Sequence, residues 1–249
     1  MSNPYYQTGE RRAGRVQDLF GAIAGRYDLL NDLQSFGLHR WWKRRLIRLA
    51  RIRPGDEALD VCCGTGDVTL ALARRGAKAM GLDFSEPMLA VARRRPVTGG
   101  RATFLQGDAL KLPFPDGRFA VVTISYGLRN LADMPGGLRE MWRVLGPGGR
   151  LLILDFGKPT HPLWRRAYFL YLETFVPLLG RFVSGDAVAY GYILESLRHY
   201  PAQSGVREML GELAGARVEE WNLLGGVMSI HRATKPCAAT IQHPVAADV

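Results

Sequence analysis

The chain has 249 residues, 47% of them hydrophobic, with a formal net charge of +10 and three cysteines. This length allows one large α/β domain, or such a domain with a cap. Few cysteines, two of them adjacent, exclude a disulfide framework, and no stretch reaches the ~20 apolar residues of a transmembrane helix. Met1 to Glu10 is polar and lacks the apolar core of a signal peptide, so we expect a cytoplasmic protein. The basic charge reflects either an anionic partner or a general preference for arginine.

The first 52 residues are predicted to form a flexible arm, 1–14, and a helical cap, 15–52. Apolar residues at helical spacing from Val16 to Ile23 predict an amphipathic helix. A second predicted helix, Leu38 to Ala50, is strongly basic and carries two adjacent tryptophans. Such a helix either lies on anionic lipid or presents a solvated charged face above a buried apolar stripe.

A strand, a glycine turn and a helix follow between Ala58 and Arg75, as in the first half of a nucleotide-binding βαβ unit. Gly64 and Gly66 let the backbone approach a ligand where a Cβ atom would clash. The dinucleotide-binding pattern requires a third glycine at Thr69, and there is none. An acid, Asp60, precedes the glycines instead. This pattern predicts S-adenosylmethionine, because a carboxylate suits the cationic amino group and sulfonium of that ligand.

Strands and helices alternate between residues 53 and 160, which predicts a doubly wound parallel α/β sheet and defines a cofactor-binding core. The predicted strands end at or beside Asp60, Asp83, Gln106, Ser125 and Phe156. Asp83 is placed to hold the two ribose hydroxyls of a nucleotide. Because the carboxyl ends of parallel strands meet at one edge of the sheet, we expect the ligand there.

The C-terminal part of the chain changes in character. Residues 161–215 predict a helical insertion, since Trp164 to Phe182 is dense in aromatic residues and leucines. This segment is either part of the core or a cap that lines an apolar substrate pocket. Residues 216–235 contain two short strands joined through Gly225-Gly226, which indicates a terminal antiparallel hairpin. The tail, 236–249, is predicted to be disordered.

Short motifs outside the glycine turn are spread along the whole chain. They are Tyr27-Asp28-x-x-Asn31-Asp32, Ser35-Phe36-Gly37-x-His39-Arg40-x-Trp42-Lys43, Leu112-Pro113-Phe114-Pro115-Asp116, Ile124-Ser125-Tyr126-Gly127-Leu128-Arg129-Asn130, Arg143-Val144-Leu145-x-Pro147-Gly148-Gly149 and Glu195-Ser196-x-Arg198. From Val16 to Lys235 the chain thereby resembles the C-methyltransferases of menaquinone and ubiquinone biosynthesis. The adjacent cysteines of the turn resemble the menaquinone branch more closely. Two departures are Cys62, where methyltransferases at large often have glycine, and the long tail.

The resemblance implies a class I S-adenosylmethionine-dependent methyltransferase, with a Rossmann-like doubly wound sheet, a terminal antiparallel hairpin and an N-terminal helical cap. It implies methylation of demethylmenaquinol to menaquinol, with S-adenosylmethionine as methyl donor and no metal. The residues that it implies for the cofactor are Thr65, Asp83, Asp108, Ala109 and Ser125, with Asp60, Gly64 and Gly66 in the glycine turn and Tyr27 in the cap.

The chemical step sets the requirements on the catalytic residues. A quinol ring carbon becomes nucleophilic when the neighbouring hydroxyl loses its proton, so the site needs a base, an in-line approach and exclusion of water. The candidate catalytic residues are Arg129, Asn130, Asp28, Asp32 and His199. Other interpretations stay open, because Asp28 and Asn31 also suit helix caps. In the same way, His199 also suits the surface, and Arg129 also suits an ion pair with Asp133.

Three alternative functions remain at this point. The first is methylation of a polyprenyl benzoquinol in ubiquinone biosynthesis. The second is a basic RNA methyltransferase, but no nucleic-acid module is visible and the fourth strand lacks an Asn/Asp-Pro-Pro-Tyr-type loop, so we expect no nucleic-acid partner. The third, a non-catalytic subunit of a quinone-biosynthesis complex, is disfavoured by the complete glycine turn. A polyprenylated quinol would bring the enzyme to an anionic membrane surface, peripheral on the inner face of the cell membrane.

Overall fold

The computed structural model describes residues 24–97, 101–184 and 194–237, together with Gly14 and Gly21. Seven strands form one sheet in the order β3-β2-β1-β4-β5-β7-β6. Their bounds are Glu57–Val61 (β1), Lys78–Asp83 (β2), Arg101–Gln106 (β3), Phe119–Ser125 (β4), Leu145–Phe156 (β5), Arg217–Leu223 (β6) and Met228–Thr234 (β7). Strands β1 to β5 pair in parallel, and β7 runs antiparallel to both of its neighbours. This confirms the predicted doubly wound sheet with its terminal hairpin.

Seven helices are defined in the described residues. They are Tyr27–Ser35 (α1), Leu38–Ala50 (α2), Asp67–Ala73 (α3), Glu86–Arg94 (α4), Met134–Val144 (α5), Pro162–Ser184 (α6) and Ala202–Gly211 (α7). Residues 194–199 are also helical, and short 3₁₀ turns span 24–26, 128–130 and 224–226. Among the described helices, none combines the length and the apolar character that crossing a bilayer requires.

Two apolar cores lie on opposite faces of the sheet, because successive strand residues point to opposite sides. In β5, Leu151 and Ile153 belong to one core, while Leu152 and Leu154 belong to the other. The first core includes α5, α6 and α7 residues, and the second includes α2 and α3 residues. The near-continuous apolar sequence of the central strands follows from this burial on both faces.

The basic helix α2 occupies the bounds predicted for it, Leu38 to Ala50. Trp42 and Leu46 are buried against the sheet, so the apolar stripe of the helix is part of the core. Arg40, Arg44 and Arg48 are exposed on the other side. The apolar side of α2 therefore packs into the protein, and its charged side faces outward.

Some predicted boundaries were wrong. The segment Gly146 to Gly149 was expected to end α5 and precede the fifth strand, but β5 already begins at Leu145. A Cβ atom on Gly146 would lie 2.8 Å from the carbonyl oxygen of Gly117, so glycine lets the start of β5 pass close to the residues that lead into β4. Helix α7 begins four residues before the predicted start at Val206. Apart from Gly14 and Gly21, the predicted arm and the predicted helix from Val16 to Ile23 lie outside the described residues, as does the tail beyond residue 237.

Candidate active site

A cavity opens at the carboxyl ends of β1, β2 and β4, with about 990 Å³ of empty space including its open mouth. This is the edge at which open α/β sheets bind ligands. Of the predicted site residues, it is lined by Tyr27, Gly64, Asp83, Asp108, Ala109, Ser125 and Asn130. The wall is completed by residues that the sequence did not single out, among them Phe84, Met88 and Leu131.

The glycine turn forms the floor of this cavity. Gly64 and Gly66 have φ angles of +55° and +85°, in the region that favours glycine. A Cβ atom on Gly66 would lie 2.9 Å from the ring of Phe104. Cys62 adopts a φ of +54° and packs under Gly127, where an added Cβ atom would come within 2.5 Å of the cysteine Cβ. Close packing therefore holds the turn against Phe104 of β3 on one side and against Gly127, after β4, on the other.

Asp83 connects the glycine turn to the next loop. Its Oδ2 atom accepts a hydrogen bond of 2.8 Å from the Gly64 N–H, and its Oδ1 atom accepts one of 2.9 Å from the Ser85 N–H. Burial raises the pKa of this carboxyl, while the backbone donors of Ser85 and Gly64 act in the opposite direction. Each carboxylate oxygen keeps a lone pair for a further donor. The position at the end of β2 suits the two ribose hydroxyls expected there.

Two buried hydroxyls in the cavity walls indicate a polar ligand. Among the described residues, none provides a hydrogen-bond partner for the Oγ atom of Ser85 or of Ser125. Ser85 stands at the N-cap position of α4, but its side chain makes no capping bond. An unmade hydrogen bond at a buried hydroxyl costs free energy that a bound ligand can recover. Together with the open backbone at Gly64 and the acid at Asp83, these residues fit S-adenosylmethionine.

Asp60 lies beneath the cavity and does not line it. Its side chain is buried and accepts hydrogen bonds from Thr69 Oγ1 at 2.7 Å and Thr123 Oγ1 at 2.8 Å. Burial raises the pKa of Asp60 to about 6, against the effect of these two donors. The carboxylate joins β1 to β4 and to α3. Because Asp60 does not line the cavity, its carboxylate can act on a cationic ligand there only through its electric charge and not by direct contact.

The N-terminal cap is fastened to the glycine turn by polar contacts. Thr65 Oγ1 donates a hydrogen bond of 2.8 Å to Asp28 Oδ1. Arg95 donates to the Thr65 carbonyl at 3.0 Å and forms an ion pair of 2.6 Å with Asp67. Lys43 of α2 reaches the other oxygen of Asp67 at 2.7 Å. We call Asp28, Lys43, Thr65, Asp67 and Arg95 the cap network. Asp28 is not a helix cap, because it lies within α1 and its carboxylate bonds Thr65.

Arg129 forms a buried ion pair behind the cavity wall. Its Nη1 atom lies 2.7 Å from Asp155 Oδ1 and donates to the Tyr126 carbonyl oxygen at 2.7 Å. Only 5% of the Arg129 side chain and 1% of the Asp155 side chain are exposed. The predicted alternative, a pair with Asp133, is wrong, because that carboxylate caps α5 through the Gly136 N–H at 2.9 Å. Asp155, at the end of β5, was missed because an acid inside an apolar strand carries no motif.

Asn130 and Tyr27 stand in the wall beside this ion pair. The Asn130 amide donates to the Tyr126 carbonyl oxygen at 3.2 Å. Burial raises the pKa of Tyr27, with Lys43 and a hydrogen bond to Asn31 acting in the opposite direction. Its hydroxyl is therefore protonated at neutral pH and can donate a hydrogen bond. The structure thus brings the cap and the fourth strand to the same cavity.

Two of the predicted catalytic residues lie elsewhere. Asp32 accepts hydrogen bonds from Arg40 Nε at 2.7 Å and, at 2.8 Å, lies beside His39 Nε2. The hydrogen bond from Arg40 has the largest effect on Asp32, and together with the His39 contact it lowers the pKa of Asp32 to about 2. His199 is about half exposed, and its ring Nδ1 lies 3.1 Å from the Glu195 carbonyl oxygen. Neither residue lines the cavity. The surface interpretation of His199 agrees with this placement.

The chain matches the model of the ubiE/COQ5 methyltransferase family over residues 7–235. It is 43% identical over 236 residues to the ubiquinone/menaquinone biosynthesis C-methyltransferase UbiE of Ectopseudomonas mendocina, with 91% of both chains covered. The UbiE protein of Azotobacter vinelandii is 42% identical over 232 residues, with 91% and 92% covered.

Solved methyltransferases share the fold at low sequence identity. An S-adenosylmethionine-dependent methyltransferase of Thermotoga maritima, described as a possible histamine N-methyltransferase, gives a TM-score of 0.59 at 18% identity, over 88% of this chain and 99% of that one. Phosphoethanolamine N-methyltransferase 2 of Haemonchus contortus, solved with S-adenosylmethionine, gives 0.59 at 16% identity, over 80% and 53%. With its glycine turn, strand-end acid and seven-stranded sheet, this chain is an S-adenosylmethionine-dependent methyltransferase and belongs to the ubiE/COQ5 methyltransferase family.

Proposed function

We propose that this protein methylates a ring carbon of demethylmenaquinol to give menaquinol, at the surface of the cell membrane. The observation that carries the proposal is the meeting of Tyr27 and Asn130 in one cavity with the cofactor turn, directly in front of the Arg129–Asp155 ion pair. Family membership supports a quinol acceptor, since the relatives are named for both ubiquinone and menaquinone biosynthesis. The adjacent Cys62-Cys63 in the turn favours the menaquinone branch.

Each residue of this wall has a distinct part in the proposed reaction. Bound S-adenosylmethionine supplies an electrophilic methyl group on its sulfonium. The protonated Tyr27 hydroxyl and the Asn130 amide donate hydrogen bonds that orient the quinol oxygens. The positive charge of Arg129 stabilises the quinolate that forms when the hydroxyl beside the reacting carbon releases its proton to solvent. Turnover should then rise with pH through the pKa of the group that controls this deprotonation.

A ubiquinone precursor is the closest alternative acceptor. It offers the same phenol-type oxygen but one ring in place of two, so the two acceptors differ in size and apolar surface more than in chemistry. The cap network argues against a non-catalytic subunit, because it closes a complete cofactor turn. An RNA substrate gains no support from the family, whose relatives are named for quinone biosynthesis.

The decisive experiment is a direct comparison of acceptors. The purified protein is incubated with methyl-labelled S-adenosylmethionine and either short-tail demethylmenaquinol or the corresponding benzoquinol, both kept reduced, and the products are identified by mass. We expect labelled menaquinol, with kcat/KM at least tenfold higher than for the benzoquinol. Equal or preferred methylation of the benzoquinol would contradict the menaquinone assignment. Methylation of neither would contradict the quinol assignment.

A further inference from the structure

Four apolar side chains are exposed together where α1 meets α2 and α6. Phe36, in the turn between α1 and α2, is 71% exposed, and Leu33 of α1 is 38% exposed. From α6, Phe175 and Leu178 are 38% and 50% exposed. We call these four residues the apolar tip. Large exposed apolar groups that cluster in this way mark an interaction site more often than chance surface composition.

The apolar tip is held in place by specific contacts. The Phe36 ring stacks on that of Phe175 with centroids 5.9 Å apart, and Phe175 stacks on Tyr171 at 5.2 Å. The Tyr171 hydroxyl donates a hydrogen bond of 2.7 Å to the Gln34 carbonyl oxygen, which ties α6 to α1. Phe36 itself has a φ of +51°, a conformation that is unfavourable for a bulky side chain. The fold thus holds an aromatic ring outward at a local cost in free energy.

Cations adjoin the apolar tip on α2. Arg40, Arg44 and Arg48 recur every fourth residue from the end of the helix nearest Phe36, and all three are exposed. Trp41, also exposed, lies on the same outward side. Arg44 and Arg48 belong to a groove with five further cations, Arg40, Lys43, Arg74, Arg75 and Arg95, and two acids, Asp28 and Asp67. An apolar tip beside such a basic face is the arrangement of proteins that lie on anionic lipid.

We propose that the apolar tip inserts into an anionic bilayer while Arg44 and Arg48 meet lipid phosphates, so that the quinol tail enters the cavity from the membrane. The proposal rests on the proposed function, since a prenylated acceptor resides in lipid. Helix α1 connects the cavity to the apolar tip. Tyr27 at one end of the helix lines the cavity, and Phe36 follows the other end, ~14 Å away at 1.5 Å per residue.

Lipid is favoured over a second copy of the chain as the occupant, because two chains of charge +10 repel each other. The four side chains also present far less than the ~800 Å² per partner that a stable protein interface buries.

The test uses the full chain and three variants. Phe36→Asn removes the ring and places at this φ a residue that tolerates it. Arg44→Gln with Arg48→Gln removes two charges that make no ion pair within 4.0 Å among the described residues. Leu105→Thr is the matched control, because Leu105 is 40% exposed on β3 and lies outside the apolar tip. Binding is measured by flotation with vesicles of phosphatidylcholine alone or with phosphatidylglycerol, at low and at high salt.

We expect the wild-type protein and Leu105→Thr to bind the anionic vesicles equally. Phe36→Asn should reduce the partition coefficient by about tenfold or more, and the double arginine variant by about tenfold at low salt only. All four proteins should methylate a short-tail, water-soluble demethylmenaquinol at the same rate, whereas Phe36→Asn should be slow on a long-tail acceptor held in vesicles.

Equal vesicle binding by Phe36→Asn and the wild type, or binding that does not depend on lipid charge, would overturn the docking proposal. A wild-type dimer that Phe36→Asn dissociates in sedimentation would assign the tip to a second copy instead. Failure of the wild type on the short-tail acceptor would contradict the proposed function and not the docking.

Discussion

The hydroxyl of Thr65 donates a hydrogen bond of 2.8 Å to the carboxylate of Asp28, although the two residues are 37 positions apart. Thr65 belongs to the cofactor turn and Asp28 to the first helix of the cap. The Asp28 carboxylate therefore already has a donor and lies 3.5 Å from Arg95. Its contacts are those of a positioning residue that holds the cap closed over the turn, and they differ from those of a general base.

This relationship gives a prediction with two variants at one position. Asp28→Ala removes the acceptor for Thr65 and should weaken binding of S-adenosylhomocysteine by about tenfold, since one charged hydrogen bond contributes ~1.5–3 kcal/mol. Asp28→Asn keeps an oxygen for the Thr65 hydroxyl and should retain most of the affinity and turnover. Calorimetry and single-turnover rates measure both. If Asp28 is the base, the asparagine variant must be as inactive as the alanine variant.

A double-mutant cycle with Thr65→Val provides the control for this prediction. If the two side chains act through their mutual bond, the loss in the double variant should be about as large as in either single variant. Simple addition of the two losses would show that Asp28 affects the cofactor by another route.

Arg129 is predicted to be needed for both stability and turnover, and the two effects can be separated. Arg129→Ala leaves Asp155 buried without its partner, which should cost ~3–5 kcal/mol of unfolding free energy. Arg129→Lys keeps the charge and should recover part of this stability, but it loses the planar group that bonds both Asp155 and the Tyr126 carbonyl. We expect the lysine variant to turn over at least tenfold more slowly while still binding S-adenosylhomocysteine. Urea unfolding, calorimetry and turnover on one preparation test this, and full turnover by a folded lysine variant would contradict it.

Asp83 should matter for the cofactor more than for the fold. Asp83→Asn places an amide group against the N–H of Gly64 or Ser85, so one of the two present hydrogen bonds must be lost. We expect S-adenosylhomocysteine to bind ~1–3 kcal/mol more weakly. Asp116→Asn is the matched control, because Asp116 is an exposed acid that pairs with Arg143 of α5 and does not line the cavity. An Asp83 variant with wild-type affinity in calorimetry would place the ribose elsewhere.

The sheet was predictable because its signals are local. Strands β1, β2 and β4 are mainly apolar, and Asp60, Asp83 and Ser125 lie at or beside their carboxyl ends, at one edge of the sheet. The glycine turn was predictable for the same reason, since Gly64 and Gly66 adopt the backbone angles for which glycine is used. The start of β5 at Leu145 was not predictable, because Leu145 pairs with Phe119 of β4. This contact is non-local, and no sequence pattern indicates it.

The partners of charged side chains were much harder to predict. Arg129 pairs with Asp155, 26 residues away, and not with the nearby Asp133. Lys43, Arg95 and Asp67 come from three separate helices or their ends and meet only in the folded cap network. A charged residue in a motif indicates that something must pair with it, but the pairing follows from topology. Of the five candidate catalytic residues, Asn130 lines the cavity. Asp28 and Arg129 instead make the polar contacts described above, and Asp32 and His199 lie farther from the cavity.

The last prediction concerns Asp60, whose burial raises its pKa to about 6. The folded protein therefore binds a proton at Asp60 more tightly than the unfolded chain, where an aspartate titrates near ~3.9. Its contribution to the unfolding free energy is fully present below about pH 4 and is lost as the pH rises through about 6. Asp60→Asn stays neutral throughout and still bonds Thr69 or Thr123, so it should lack this dependence.

Urea unfolding between pH 4 and pH 7 measures the difference between the two proteins. The unfolding free energy of the wild type, relative to Asp60→Asn, should fall as the pH rises from 4 to 6 and then level off. The fall should be at most ~3 kcal/mol, from the separation between the folded and unfolded pKa values. All other titrating groups are shared by both proteins and cancel in the comparison. If the Asp60→Asn and wild-type curves were also parallel from pH 4 to 6, the carboxylate would be charged in its buried position, held by its two threonine donors and the positive charge of Lys43.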